Sequence, residues 1–203
     1  MKKVFTILCI LLVSISSVLG QNPSKCELKP EQAPAIRGFR LLMTADDLKR
    51  KLPNVQIPAA NELGLAFSEV TFFPLPDRFN ISYGTEGSAN TYDVRKLTEF
   101  KGWERINFEL LDNKVVTLTI FYDASVKWDK LSTFTSQMSS LLKLPDNWTD
   151  GILMCNGFNV SAEVYPGLSQ KGTIQFSSDE ALNTYEQRKK AAEETKRKQF
   201  KPE

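Results

Sequence analysis

Histidine is absent from all 203 residues. That removes Ser-His and Cys-His nucleophile pairs, imidazole metal sites and the commonest general base at neutral pH. Cysteine is scarce, with only Cys9, Cys26 and Cys155, and none has a neighbour at a zinc-ligand spacing. Long apolar runs are missing after the first twenty residues, so no later segment approaches the ~20 residues that span a bilayer. An excess of one charge is missing too: 26 Lys and Arg face 24 Asp and Glu. No phosphate-cradling or dinucleotide motif occurs. The expectation is a chain with no cofactor, no metal and no catalytic residues, and therefore not an enzyme.

The first twenty residues have a different character. Lys2 and Lys3 precede an apolar run, Val4 to Leu19, which is diluted by serines and ends with Val18 and Gly20 at the small positions of a signal-peptidase site. We expect cleavage after Gly20, no transmembrane segment afterwards, and a protein exported to the periplasm or medium. Loss of Lys2 and Lys3 leaves 24 basic against 24 acidic residues. A neutral chain has no bulk field for nucleic acid, whose binding rests on phosphate neutralisation. Cys9 leaves with the leader, so Cys26 and Cys155 remain. In an oxidising compartment an even pair reads as a disulfide, the alternative being two separate buried thiols.

Gln21 to Pro34 is polar with two prolines and reads as an extended lead-in (residues 21–34). Thr44 is an N-cap with Asp47 in the reciprocal position, Met43 and Leu48 form a staple, and Pro53 stops a short helix. Leu65 to Phe73 reads as a strand; Phe79, Ile81 and Tyr83 alternate as another; Gly84 to Asn90 reads as a polar loop. Trp103 to Tyr122 is a hairpin. A three-residue loop, Asp112-Asn113-Lys114, sets Leu110 against Val116, Phe108 against Leu118 and Ile106 against Ile120, which keeps both apolar rows on one face. A second helix is predicted from about Val126 to Leu144, with Trp128, Leu131, Phe134, Met138, Leu141 and Leu142 as its apolar stripe and Asp123 or Ser125 as its cap. Ile152 to Tyr165, bent near Gly157, and Thr173 to Phe176 complete the strands.

The fold class is thus α+β: one domain, residues 35–180, with two helices on an antiparallel sheet and a weak tandem repeat of a helix-plus-strands unit. Residues 181–203 form a charged tail, helical or disordered, whose Glu186/Lys190, Glu193/Arg197 and Glu194/Lys198 pairs support a solvated helix. Seven basic and four acidic residues from Thr184 onward leave a weak capacity for contact with an anionic surface.

Candidate functional residues follow from residue type. Phe72, Phe73, Trp103, Phe121, Tyr122 and Trp148 are the aromatics able to anchor an interface or to pack a core. Phe121, Trp103 and Trp148 are the candidate interaction surface, with Phe121 foremost because the hairpin register puts it opposite the Ile120 row. The neighbouring carboxylates Asp46/Asp47 and Asp179/Glu180 point apart on a helix or strand and are not a catalytic pair. Asn80, Asn147 and Asn159 begin glycosylation sequons.

The stretch Arg37-Gly38-Phe39-Arg40-Leu41-Leu42-Met43-Thr44 to Leu48 resembles the R-G-x-x-L-G-M-[ST]-x-x-[DE]-[VL] opening of many small exported bacterial proteins, including the SmpA/OmlA (BamE-like) outer-membrane lipoproteins. Leu42 stands where that pattern prefers Gly, and the lipidated cysteine is lacking, so no lipid anchor is implied. Phe100 to Ile106, Lys127-Trp128, Leu144-Pro145, Cys155 to Phe158 and Phe200 to Pro202 are similar to pieces of uncharacterised exported bacterial proteins with this opening. The helix-plus-strands unit resembles the architecture of the β-lactamase-inhibitor protein. The absence of histidine, the lack of any cofactor motif and this partial BamE-like opening together lead to the expectation of a non-catalytic module binding a protein partner in the envelope; the competing expectations are a carboxylate-dependent hydrolase and a small-ligand or polymer sensor.

Overall fold

Side-chain caps and alternating apolar residues account for most of the architecture. The computed structural model describes residues 25–53, 55–73, 88–93, 98–165 and 170–199. The expected leader and the Phe79–Tyr83 strand lie outside these residues. Helix α1 is Ala45–Lys51, opened by the reciprocal cap: Thr44 Oγ1 accepts from Asp47 N at 3.2 Å, and Asp47 Oδ2 accepts from Thr44 N at 3.0 Å. Those backbone and hydroxyl donors hold the Asp47 carboxyl below its ordinary pKa. Leu48 is fully buried from this helix.

Strands β1 (Leu65–Phe73), β2 (Ser88–Asp93), β3 (Trp103–Leu111), β4 (Lys114–Tyr122), β5 (Ile152–Met154), β6 (Phe158–Val164) and β7 (Gly172–Ser178) form one sheet in the order β2-β1-β3-β4-β7-β6-β5. Every pair is antiparallel except β1–β2. Helix α1 precedes the meander β1-β3-β4, and helix α2 (Leu131–Leu142) precedes the meander β5-β6-β7. The last strands of the two meanders pair at the centre, so the repeat is a topological one.

Four expectations need correction. Ser88–Asn90 are not loop, because they lie in β2; parallel hydrogen bonding to β1 supports a polar sequence that carries no strand signal of its own. The β3–β4 loop has two residues, not three. Asp112 and Asn113 both take positive φ (49° and 67°), as the tight hairpin turn requires, and Leu110 pairs with Val115. A bulge then shifts the register, so Phe108 faces Leu118 and Ile106 faces Ile120 as expected. Helix α2 begins at Leu131, and neither Asp123 nor Ser125 caps it. Asp123 instead accepts from Ser125 N at 2.8 Å, and Trp128 N donates to Gln170 O at 3.1 Å, which drops the indole into the core ahead of the helix. Leu141, assigned to the stripe, is 73% exposed, while Phe134 and Met138 dock. Ile152–Tyr165 is a hairpin rather than one bent strand, closed by Cys155 N donating to Phe158 O at 2.9 Å.

One face of the sheet carries the core. Val70, Ile106, Phe108, Leu118, Ile120, Ile174, Phe176 and Val160 form continuous rows across five strands. Phe39, Phe72, Phe100 and Trp103 pack at one side, and Tyr122, Trp128 and Phe134 at the other. Ser68, the polar member of a core row, donates to Gln56 O at 3.0 Å. Cys26 and Cys155 form a disulfide across 129 positions and pin the lead-in beside the β5–β6 turn. In the chain-entropy account such a loop contributes about 4–5 kcal/mol.

The opening motif has a structural reason. Arg37 and Gly38, both at positive φ, reverse the chain so that Ile36 and Phe39 exchange backbone hydrogen bonds and Phe39 is buried completely. Leu42 sits at φ 63°, the left-handed region where glycine costs least, and its N donates to Val115 O at 2.8 Å. Glycine suits that position because the backbone is left-handed there; this chain accepts the strain.

Helix α3, Asp179–Gln199, ends the described chain and buries none of its residues. None of its three expected i,i+4 pairs is within ion-pair distance; its one ion pair among the described residues is Arg188–Asp112. Among the described residues no helix is long and apolar enough to cross a membrane.

Candidate functional site: the second face of the sheet

The residues that alternate with the core rows form the opposite face. Across β3, β4, β7 and β6 they are Arg105, Asn107 and Glu109; Thr117, Thr119 and Phe121; Thr173, Gln175 and Ser177; and Asn159, Ser161 and Glu163. Among the described residues the start of α3, against β6 and β7, is the helix that reaches this side; α1 and α2 add their buried residues to the core. The strand pattern therefore builds a hydroxyl- and amide-rich polar layer, in which Thr117, Thr119, Thr173 and Ser177 are themselves buried.

Its side chains are linked. Thr119 Oγ1 donates to Gln175 Oε1 at 3.1 Å, and Gln175 Nε2 donates to Ser177 Oγ at 3.0 Å. Arg105 Nη1 donates to Glu69 Oε2 at 3.3 Å, and the Asn107 amide, turned to the orientation that satisfies its neighbours, donates to the same oxygen. The Arg105 guanidinium lies 4.0 Å from the ring centre of Phe121, its cross-strand partner. Stacking on a ring leaves the guanidinium edge available for recognition. Arg105 Nε and Thr117 Oγ1 are buried and have no hydrogen-bond partner in the protein.

At one corner Glu104, Arg105, Phe121, Tyr165, Lys171 and Thr173 surround a pocket of about 180 Å³. Lys171 and Glu104 form a close ion pair on its wall. Desolvation pushes the Tyr165 phenol up, and the neighbouring Glu163 carboxylate adds to this. The apolar side chains Phe67, Ile152, Met154 and Tyr165 are exposed at the margins of the face.

The expected surface residues divide. Phe121 lies on this face, half-buried beneath Arg105. Trp103 is 1% exposed and belongs to the core, which removes it from any surface. A register shift between Trp103 and Arg105 is the cause: it pairs Trp103 with Tyr122 and turns the indole to the core face. Trp148 is half-buried against the core, its Nε1 donating to Ser139 Oγ at 2.7 Å. Phe72 is buried and Tyr122 is packed on Trp128; the side chain of Phe73 lies outside the described set. Burial raises the Tyr122 phenol to about 12. The Arg105–Glu69 pair and the Thr119–Gln175–Ser177 chain were not singled out from sequence, although the polar alternation in β3 and β4 was there to find.

The neighbouring carboxylates do not converge. Asp47 serves the α1 cap, and Asp179 accepts from Asn159 Nδ2 at 2.8 Å, which also engages that sequon's amide. Asn80 lies outside the described residues. Among the described residues no group of three or more Cys, Asp or Glu is placed to hold a metal ion.

Compared with protein-family models, with curated proteins and with solved structures, the chain matches none.

Proposed function

We propose that this chain is an exported, non-catalytic interaction module of a bacterial envelope, and that it binds a protein partner through the second face of its sheet. The observation that carries this reading is the preformed network on that face, in which the Arg105–Phe121 stack and the Thr119–Gln175–Ser177 chain sit between exposed apolar margins. Arginine and aromatic side chains anchor protein interfaces, and a network already made loses little entropy on binding. Export is supported by the character of the first twenty residues and by the Cys26–Cys155 disulfide, a bond that persists in oxidising compartments.

The test is cross-linked capture from the native envelope with the mature chain and with Arg105→Glu/Gln175→Arg. A partner held by the first and lost by the second, at equal melting temperature, supports the reading. The same partner captured equally by both sinks it. A second reading, a small-ligand sensor, rests on the corner pocket beside Arg105 and Tyr165. It requires that a ligand protect Thr173 and Lys171 amides from hydrogen exchange.

A further inference from the structure

Helix α3 is tied at its start and then runs free of the core. Asp179 N donates to Gly157 O at 3.0 Å, and Asp179 Oδ1 accepts from Asn159 at 2.8 Å. Further along, Arg188 Nη1 donates to Leu63 O at 3.0 Å and to Asp112 Oδ1 at 2.8 Å, and Nη2 donates to Asp112 Oδ2 at 2.6 Å.

The receptor for that guanidinium is built by residues far from α3 in sequence. Asn61 Oδ1 accepts from Leu63 N and Leu65 N at 2.9 and 3.0 Å, which fixes the turn that offers the Leu63 carbonyl. Asp112 N donates to Gly64 O at 3.1 Å, which fixes the carboxylate. Gly64, at φ 86°, leaves the space between: a Cβ there would stand 2.6 Å from Asp112 Oδ1 and 2.8 Å from Arg188 Nη1.

A cleft of about 450 Å³ lies between the first turns of α3, the β3–β4 turn and Pro30–Glu31. Leu42, Leu111, Val116, Ala181 and Thr184 line it. Leu111 and Val116 are 6% and 3% exposed, yet neither belongs to the core cluster. They are sheltered at the cleft that α3 borders.

We infer that α3 is a latched strap: Arg188 in the Leu63–Asp112 receptor holds it over the cleft, and release of that contact opens the cleft and bares Leu111 and Val116. A helix without buried side chains opens at low free energy, and an exposed ion pair is screened by salt. This strap works whether or not the second sheet face binds a partner.

The experiment is amide hydrogen exchange on the disulfide-bonded chain from residue 21 to 203, at low salt and at about 0.5 M salt. Wild type is compared with Arg188→Gln, Asp112→Asn, the double variant and Gly64→Ala. The strap predicts α3 amides from Asn183 onward, the turn of Thr184 at the cleft included, exchanging roughly three- to tenfold faster in each single variant. The double variant is no faster than the singles, and salt accelerates only the wild type. Strand β4 and β7 amides stay unchanged, and an apolar dye binds the variants more than the wild type. Unchanged α3 exchange in Arg188→Gln overturns the strap. Equal acceleration of the sheet amides overturns it too, since Arg188 would then be a general stabilising contact.

Discussion

Helices α2 and α3 show two ways for a helix to belong to a fold. α2 has 12 residues and drives Phe134 and Met138 into the core beside Trp128 and Tyr122. α3 has 21 residues, buries none, and meets the β3–β4 turn through one arginine. Length alone says little about attachment. Apolar area removed from water holds α2, whereas backbone propensity and exposed electrostatics hold α3.

The comparison can be broken by truncating the best-anchored side chain of each helix. Phe134→Ala should cost about 3–5 kcal/mol in urea unfolding, because the ring is fully buried against Trp128 and Tyr122. A loss near that of a surface substitution would mean α2 is not docked as described.

The two helices should also fail at opposite ends of the pH scale. Under α2, burial raises the Tyr122 phenol from 10.0 to about 12. Its neutral form is therefore favoured by folding. That contribution is complete below pH 10 and is lost as pH rises towards 12, a loss of roughly 2–3 kcal/mol. Tyrosinate absorbance should show one phenol titrating last, together with alkaline loosening of α2. At α3 the Arg188 hydrogen bonds hold the Asp112 carboxyl below its ordinary value. Its contribution is present above the unfolded carboxylate range and is lost as pH falls through the depressed value. Protection of α3 amides, measured against the intrinsic exchange rate at each pH, should fall in acid ahead of the sheet; simultaneous opening would erase the distinction.

A smaller change sharpens the comparison at the end of α2. Lys143 is its left-handed C-cap, at φ 55° and ψ 38°. Lys143→Gly should raise stability by about 0.5–1 kcal/mol by relieving the Cβ contact of that conformation. A fall in the urea midpoint would show that the lysine side chain matters more than the backbone. The smallest effect is expected in α3, where Leu182→Ala should stay within about 0.5 kcal/mol.

Legibility followed the range of the interaction. The α1 cap was readable because Thr44 and Asp47 are three residues apart and meet within one turn. β1 was readable as an apolar and aromatic stretch and was placed with its full span. β2 was missed because Ser88–Asp93 becomes a strand by pairing with β1, a partner its own residues do not advertise. On the candidate face Phe121 was readable from alternation, whereas the misplacement of Trp103 came from a bulge. The Arg188 latch joins residues separated by 76 and 125 positions, beyond any local pattern.

By itself the sequence determined the α+β class and the Phe108–Leu118 and Ile106–Ile120 pairing of the β3–β4 hairpin, and it favoured the Cys26–Cys155 bridge that the structure shows. Local periodicity and capping chemistry suffice for the first two, whereas the third also needs the expectation that Cys9 leaves with the leader. Only the tertiary structure decided that Trp103 is core and that the β3–β4 turn has two residues. It alone placed α3 over a cleft, held by Arg188. Each of these depends on long-range pairing, where one extra residue in a strand turns a side chain from one face of the sheet to the other.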